Sequence, residues 1–294
     1  MTRIKNIVGV NIHKYMAIPA FILFSVFFIY PLFRGIGFSF TDYNGISKPN
    51  FIGLQNFIDF FNDDRAKSDI GNTLFFAIAC APLLNILGLG YALILDKAFK
   101  GKGIVRTIVY LPAVISPLIM GYIWYFILQP ERGFFAVSAH SLNLSVANIN
   151  LFGNRFSALW VLVVVNVWQF VGMTMVIYLA GLQAIPQELY EASRIDGAGQ
   201  MKAFRYVTLP MLIQSIKINV ITNIIGSLSV FEIIMALTDG GPGYSTESLS
   251  IYIMRMCYGG STGYSTAVAI ILFLIILIPV LISLKYLSSK EFEV

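Results

Sequence analysis

Polar and charged side chains crowd into one stretch near the middle of an otherwise apolar chain. Gln187, Glu188, Glu191, Ser193, Arg194, Asp196, Gln200, Lys202 and Arg205 fall between Pro186 and Pro210 in the run PQELYEASRIDGAGQMKAFRYVTLP. No membrane-crossing helix could hold this run, because one ionised side chain at the bilayer centre already costs about 2.5–3.5 kcal/mol on the mildest scale. A second, sparser set sits inside the apolar stretches. It comprises Asn166 and Gln169 one turn apart with Trp168 beside them, then Ser215, Asn219, Asn223 and Ser227 at every fourth residue, and Glu232. At 3.6 residues per turn that stripe drifts only about 40° per step, so it offers hydrogen bonds along one helix face. Within the spans there is no cluster of His, Asp or Glu of the kind that general acid–base catalysis needs.

Other chemistries drop out on spacing. His13 and His140 are far apart and lack nearby ligand types, whereas a zinc site needs several clustered donors. Cys80 falls in an apolar run and Cys257 in a polar connection, so neither a disulfide framework nor CxxC chemistry is expected. The GKG at 101–103 lacks the GxxxxGK[ST] frame of a phosphate-binding loop, and the GAG at 197–199 lacks the strand and third glycine of a dinucleotide site. The chain is therefore expected to hold no cofactor, and any ATP-driven work belongs to a partner. The net charge of +5 is scattered over short loops without a basic, aromatic-interleaved patch, which argues against nucleic acid.

The elements that position these groups follow from composition. Hydrophobic residues make up 57% and charged residues 12% of the 294, against roughly 45–50% and about 25% in soluble domains. Several apolar runs reach the ~20 residues that a helix needs to cross a bilayer, and they are continuous rather than alternating, which selects helices over barrel strands. The expectation is an all-α integral membrane protein, one domain over 1–294, with six transmembrane helices at about 15–40, 70–95, 107–128, 157–182, 211–237 and 266–287 and a polar loop at 183–210. The first run exceeds the 7–15-residue core of a cleavable signal peptide, so it reads as a retained helix. Short surface helices are expected near 54–61 and 249–258, and Gly240, Gly241, Pro242 and Gly243 forbid helix after the fifth span. Six spans place both termini and the 183–210 loop on one face, with Arg3, Lys5, Lys14, the basic cluster at 97–106, Arg194, Lys202, Arg205, Lys285 and Lys290. That face carries roughly twice the Lys and Arg of the other, so it is expected to be cytoplasmic.

Within the loop, Pro186 suits the first turn of a helix. Glu188 and Glu191 lie toward the positive end of its dipole and Arg194 toward the negative end. Gly197 fits a left-handed cap. The spacing predicts a helix over about 186–196 that exposes Leu189, Ala192 and Ile195. Such a short helix is marginal alone and wants a partner surface; a solvated helix between two spans fits the charges equally well.

YEASRIDGAGQMKAFRYVTLP resembles the EAA loop of permease subunits of binding-protein-dependent ABC importers. Glu191, Ala192, Asp196, Gly197, Ala198, Phe204, Leu209 and Pro210 fall on its pattern, with Ser193 in place of the second alanine. FSFTDYNG, FIGLQNF, RTIVYLPAVIS, AIPQELYEAS and LTDGGPG are similar to sugar permeases of the MalF type, so the resemblance runs from about residue 38 onward. It departs after GYIWYFILQPERG, where Phe134, Phe135 and HSLNLSVANINLFGN are unusual.

The resemblance implies a type I ABC importer permease fold in a bacterial cytoplasmic membrane. It implies as partners a second homologous permease, a pair of ATPase subunits that carry ATP and Mg, and an extracellular or periplasmic sugar-binding protein. Glu191, Ala192, Ser193, Arg194, Asp196 and Gly197 would be the ATPase-coupling residues: the small side chains permit close approach, Glu191 and Arg194 give charge-assisted contacts, and Gly197 sets the bend. Sugar contacts would come from the spans flanking the loop, at Asn166, Gln169, Asn223 and Ser227. An oligosaccharide is favoured over an amino acid or a metal. Glu232 is weighed evenly between function and structure, and the amides could equally be interhelical bonds of roughly 0.6 kcal/mol each. The rival is a secondary transporter driven by an ion gradient, which tends to show inverted repeats and several intramembrane ionisable groups. No repeat is visible and one acid lies deep in a span.

Overall fold

A computed structural model describes residues 17–130, 132–142 and 150–290. The N-terminal Arg3, Lys5, His13 and Lys14, and residues 143–149 of the unusual connection, lie outside the described residues. In chain order the helices are α1 (Ile18–Phe38), α2 (Gln55–Asn62), α3 (Asp64–Asp96), α4 (Lys102–Val114), α5 (Pro117–Leu128), α6 (Phe134–Ser141) and α7 (Arg155–Gln183). There follow α8 (Gln187–Ile195), α9 (Gln200–Met211), α10 (Ile213–Leu228), α11 (Glu232–Leu237), α12 (Leu249–Tyr258) and α13 (Thr262–Ser288). The β pairing among the described residues is one isolated bridge, Thr41 to Phe51. α1, α3, α7 and α13 are each long and apolar enough to cross a membrane; the bent pairs α4–α5 (98°) and α9–α10 (68°) raise the total to six if each pair is one span.

Proline explains both bends. Pro117 opens α5, and the residue before it, Ser116, is pushed out of the helical region to ψ 133°, leaving a 3₁₀ turn at Leu111–Val114 to end α4. Pro210 has no N–H to give the carbonyl four residues back, and a wider π turn, Phe204–Thr208, leads into it. A third break was not expected: the apolar run 211–237 is not one helix, because α10 stops at Leu228 and α11 starts at Glu232. The Ser229 hydroxyl donates 2.7 Å to the Ile225 carbonyl, the kind of local bond that competes with helix continuation.

The described chain divides into two compact units. The first takes in Met1–Asp63 and Ile253–Ile271. There the Asp42 carboxylate accepts from the Asn50 backbone N–H (2.7 Å) and side-chain amide (3.0 Å), and these bonds hold its carboxyl below the ordinary range. Gly263 N–H donates to the Tyr43 carbonyl at 2.7 Å, an approach so close that a Cβ on Gly263 would sit 2.1 Å from the Thr41 oxygen.

The second unit, Asp64–Tyr252 with Leu272–Val294, contains the candidate site. α3 and α7 form its centre, where Phe76, Cys80 and Leu84 meet Leu159, Leu162 and Val163, with Ile233, Ile234 and Leu237 of α11 against them. Small residues bring the backbones together, as is usual between membrane helices. A Cβ on Gly181 would lie 2.1 Å from Ser215 Oγ, so α7 touches α10 there without room for alanine.

Candidate functional site

α7, α10 and α11 line a cavity of about 450 Å³, with Leu84 of α3 and Pro117 of α5 completing it. Small-molecule sites span roughly 300–1,000 Å³. Asn166 and Thr174 come from α7, Asn219, Asn223 and Ser227 from α10, and Glu232 from the break that starts α11; Phe170, Met173 and Ile233 supply apolar wall. Glu232 is the charged group in that wall, and no Lys, Arg or His lines it among the described residues.

The polar groups differ in how firmly they are held. Asn219 is buried and donates to the Thr174 carbonyl at 3.2 Å, joining α10 to α7. Asn223 Nδ2 and Oδ1 lie 3.3 and 3.4 Å from the Thr174 hydroxyl, long for hydrogen bonds whose usual length is about 2.9 Å. Its amide has further donor and acceptor capacity to turn into the cavity. Ser227 Oγ is buried without a protein hydrogen-bond partner among the described residues, an arrangement that itself calls for an explanation in a folded protein. A hydroxyl-bearing ligand in the cavity would satisfy it.

Gln169 goes elsewhere. It is fully buried, does not line the cavity, and donates 3.0 Å to the carbonyl of Ile115 in the α4–α5 break. It braces a bend that leaves this carbonyl without a helical donor. Four of the five expected ligand contacts, Asn166, Asn223, Ser227 and Glu232, therefore share one cavity, and Gln169 stands behind it.

α8 lies in the connection between α7 and α9. Glu188 is in its first turn and Arg194 in its last, and it buries no residue of its own; Ile195 is 87% exposed. Its end is a Schellman cap: Ala198 N–H reaches the Ser193 carbonyl (2.9 Å), Gly197 N–H reaches the Arg194 carbonyl (3.0 Å), and Gly197 sits at φ +75°. Nothing lies within 4 Å of where its Cβ would be, so backbone geometry alone asks for glycine here. Ala192, Ser193 and Glu191 lie along the same short helix, and Asp196 closes it. The Tyr190 and Thr208 hydroxyls, 3.1 Å apart, tie α8 to the π turn of α9. Sequence reasoning missed this tether, since neither residue stands out by type.

It also missed a charged lock at the start of α3. Arg65 grips Glu247 at 2.7 Å, Asn72 Nδ2 donates to the Glu247 carbonyl at 2.9 Å, and Arg155 donates to Asn72 Oδ1 at 2.8 Å. Among the described residues, no three His, Cys, Asp or Glu side chains come together as a metal site.

Residues 84–292 match the family described as binding-protein-dependent transport system inner membrane component. The chain is 32% identical over 280 residues to the "Probable starch degradation products transport system permease protein AmyD" of Thermoanaerobacterium thermosulfurigenes, covering 94% of this chain and 93% of that protein. It is 33% identical to the trehalose/maltose transport system permease protein MalF of Thermococcus litoralis (92% and 91% covered). It is 35% identical to the multiple sugar-binding transport system permease protein MsmF of Streptococcus mutans (93% and 93%). Its fold superposes on a chain of a bacterial ABC transporter involved in the import of the acidic polysaccharide alginate, with a TM-score of 0.83 and 24% identity over 98% of this chain and 99% of that one.

Proposed function

This chain belongs to the family of binding-protein-dependent transport system inner membrane components, and from that we propose that it forms one half of the membrane channel of an ATP-driven sugar importer. The other parts are a second, homologous permease, a pair of ATPase subunits on the cytoplasmic side and an external sugar-binding protein. Both termini and α8 face the cytoplasm. The substrate is an uncharged oligosaccharide: the relatives are named for trehalose, maltose and starch products, and the cavity wall offers amides, hydroxyls and one carboxylate, with no cation among the described residues to receive an acidic sugar.

One observation carries the coupling mechanism. The segment that holds α8 is joined at one end to α7 and at the other, through α9, to α10, and these two helices carry Asn166 and Asn223 in the cavity wall. A displacement of α8 therefore acts on both walls. The ATPase groove would receive exposed Ile195 and Leu189, with Glu191 and Arg194 making charge-assisted contacts at the rim. Closing of the ATPase dimer would then turn these helices as rigid bodies between inward-open and outward-open arrangements. The chain's own residues bind sugar by hydrogen bonds, and ATP chemistry occurs on the partner.

The test is uptake of labelled trehalose, maltose and starch-derived oligosaccharides by vesicles containing the assembled complex and its binding protein. ATP-dependent uptake that survives an ionophore is expected. Uptake that needs no ATP and stops when the ion gradient collapses would instead identify a secondary transporter.

A further inference from the structure

A second cavity, about 560 Å³, lies apart from the sugar site, where α9 meets α10 and the last turn of α13. Its floor is aliphatic, from Leu209, Ile213, Ile216 and Leu287, and its cations are Arg205 and Lys290; among the described residues no acid lines it. Lys290 is oriented by Tyr286, over whose ring its ammonium stands 4.2 Å from the centroid and whose hydroxyl it hydrogen-bonds. α9 turns 68° from α10, so Arg205 lies on the segment before the bend and the aliphatic Ile213 and Ile216 on the segment after it. Ile213 and Ile216, one turn apart, run from that bend along α10.

We propose that this groove holds an anionic phospholipid, with the headgroup phosphate between Arg205 and Lys290 and an acyl chain along the aliphatic floor. The charge pattern selects the ligand. Paired cations, with no carboxylate among the described lining residues, favour an anion, and a small free anion would leave the aliphatic wall uncovered. Two cations beside an anionic headgroup also exceed what a zwitterionic lipid, carrying its own ammonium, would reward. The site bears on coupling, because α9 also carries Thr208, the partner of Tyr190 in α8. A lipid seated here braces the arm that joins α8 to α10.

The experiment uses the assembled complex, stripped of lipid in detergent and titrated with phosphatidylglycerol or phosphatidylcholine, with bound lipid counted by native mass spectrometry. Arg205 and Lys290 are exposed, so Arg205→Gln and Lys290→Gln should assemble normally, which the intact mass verifies. Each charge near a membrane surface is worth roughly a fivefold change in affinity. One substitution should weaken phosphatidylglycerol retention about fivefold and the double variant about 30-fold, with phosphatidylcholine unchanged. Unaltered phosphatidylglycerol retention in the double variant, or equal retention of both lipids by the parent, would overturn the proposal. So would release of the bound lipid by an equal concentration of glycerol phosphate, which would show an anion site without lipid character. A photoreactive group at Ser289 should capture lipid; capture of another subunit there would show that a protein fills the groove.

Discussion

Arg65 donates two hydrogen bonds, 2.7 and 3.0 Å long, to the fully buried carboxylate of Glu247, 182 positions further along the chain. The guanidinium also stands 3.7 Å over the ring of Tyr244. Through Asn72 the same lock reaches Arg155 at the start of α7. The glycine-rich connection after α11 is thus a pinned structure, anchored at the ends of two central helices. Its two charges are unequally placed, the Arg65 side chain being 28% exposed and that of Glu247 not at all.

That asymmetry sets a first prediction. Arg65→Ala removes the bidentate partner of a fully buried carboxylate, and breaking a buried pair from one side costs about 3–5 kcal/mol. Glu247→Gln leaves the guanidinium access to water and to Tyr244, and should cost less than half as much. Thermal unfolding of the purified complex should therefore show the larger fall for Arg65→Ala. Equal falls would mean that the carboxylate draws its stability from other groups.

At the end of α8, Gly197 has open space around it but a left-handed backbone. A side chain there costs about 1–2 kcal/mol in strain, enough to unwind a cap that rests on two hydrogen bonds. Gly197→Val should abolish most sugar uptake while ATP hydrolysis by the complex continues. Gly197→Asn, which tolerates the left-handed region, should retain much more transport. Equal uptake by the two would remove backbone geometry as the cause.

Under the proposed coupling role, the Tyr190 to Thr208 tether separates coupling from docking. Tyr190→Phe keeps the ring and deletes one hydrogen bond, so the ATPase should still assemble with the permease. Sugar molecules carried per ATP should fall severalfold, measured by parallel uptake and phosphate-release assays. An unchanged ratio would make the tether a packing detail.

In the cavity, Asn223→Ala and Gln169→Leu should behave in opposite ways. Losing the loosely held Asn223 amide should raise the half-saturating sugar concentration about 2- to 13-fold, the net worth of one hydrogen bond, with little change in melting temperature. Gln169→Leu frees the Ile115 carbonyl at the α4–α5 bend, so it should lower stability and leave half-saturation alone. A sugar-affinity effect at Gln169 would place it in the site after all.

The contrast between Asn166 and Gln169 shows what a sequence carries. Asn166 and Gln169 have the same amide chemistry one turn apart, and hydropathy cannot tell the side chain facing a cavity from the one bracing a proline bend. The all-helical, membrane-spanning class was legible because apolar length is a local property, and the cap at Gly197 because glycine and its flanking charges sit within one helix. The break at 229–231 was not, since neither proline nor glycine stands at it and one serine between apolar residues is common inside a membrane helix. Arg65 and Glu247 escaped for another reason. Each looks like an ordinary polar loop residue until the fold brings 182 positions of separation to hydrogen-bond distance.

Glu232 is the remaining ambiguity, and charge selectivity resolves it. Its carboxylate begins α11 and lines the cavity, with no cation in the wall among the described residues. An acidic sugar whose charge came within roughly 6 Å would meet a repulsion of about 0.7 kcal/mol at water's dielectric constant and about 2.8 kcal/mol at an effective value of 20. That corresponds to about a 3- to 100-fold penalty. If Glu232 takes part in selection, Glu232→Gln should let uronate-bearing oligosaccharides compete for uptake better by a factor in that range. Competition by neutral oligosaccharides should change by less than tenfold, because glutamine keeps the size and one acceptor of glutamate. Glu232→Lys, reversing the sign, should favour the acidic competitor further. Should acidic and neutral sugars keep the same ratio across all three side chains, the carboxylate serves the helix start alone.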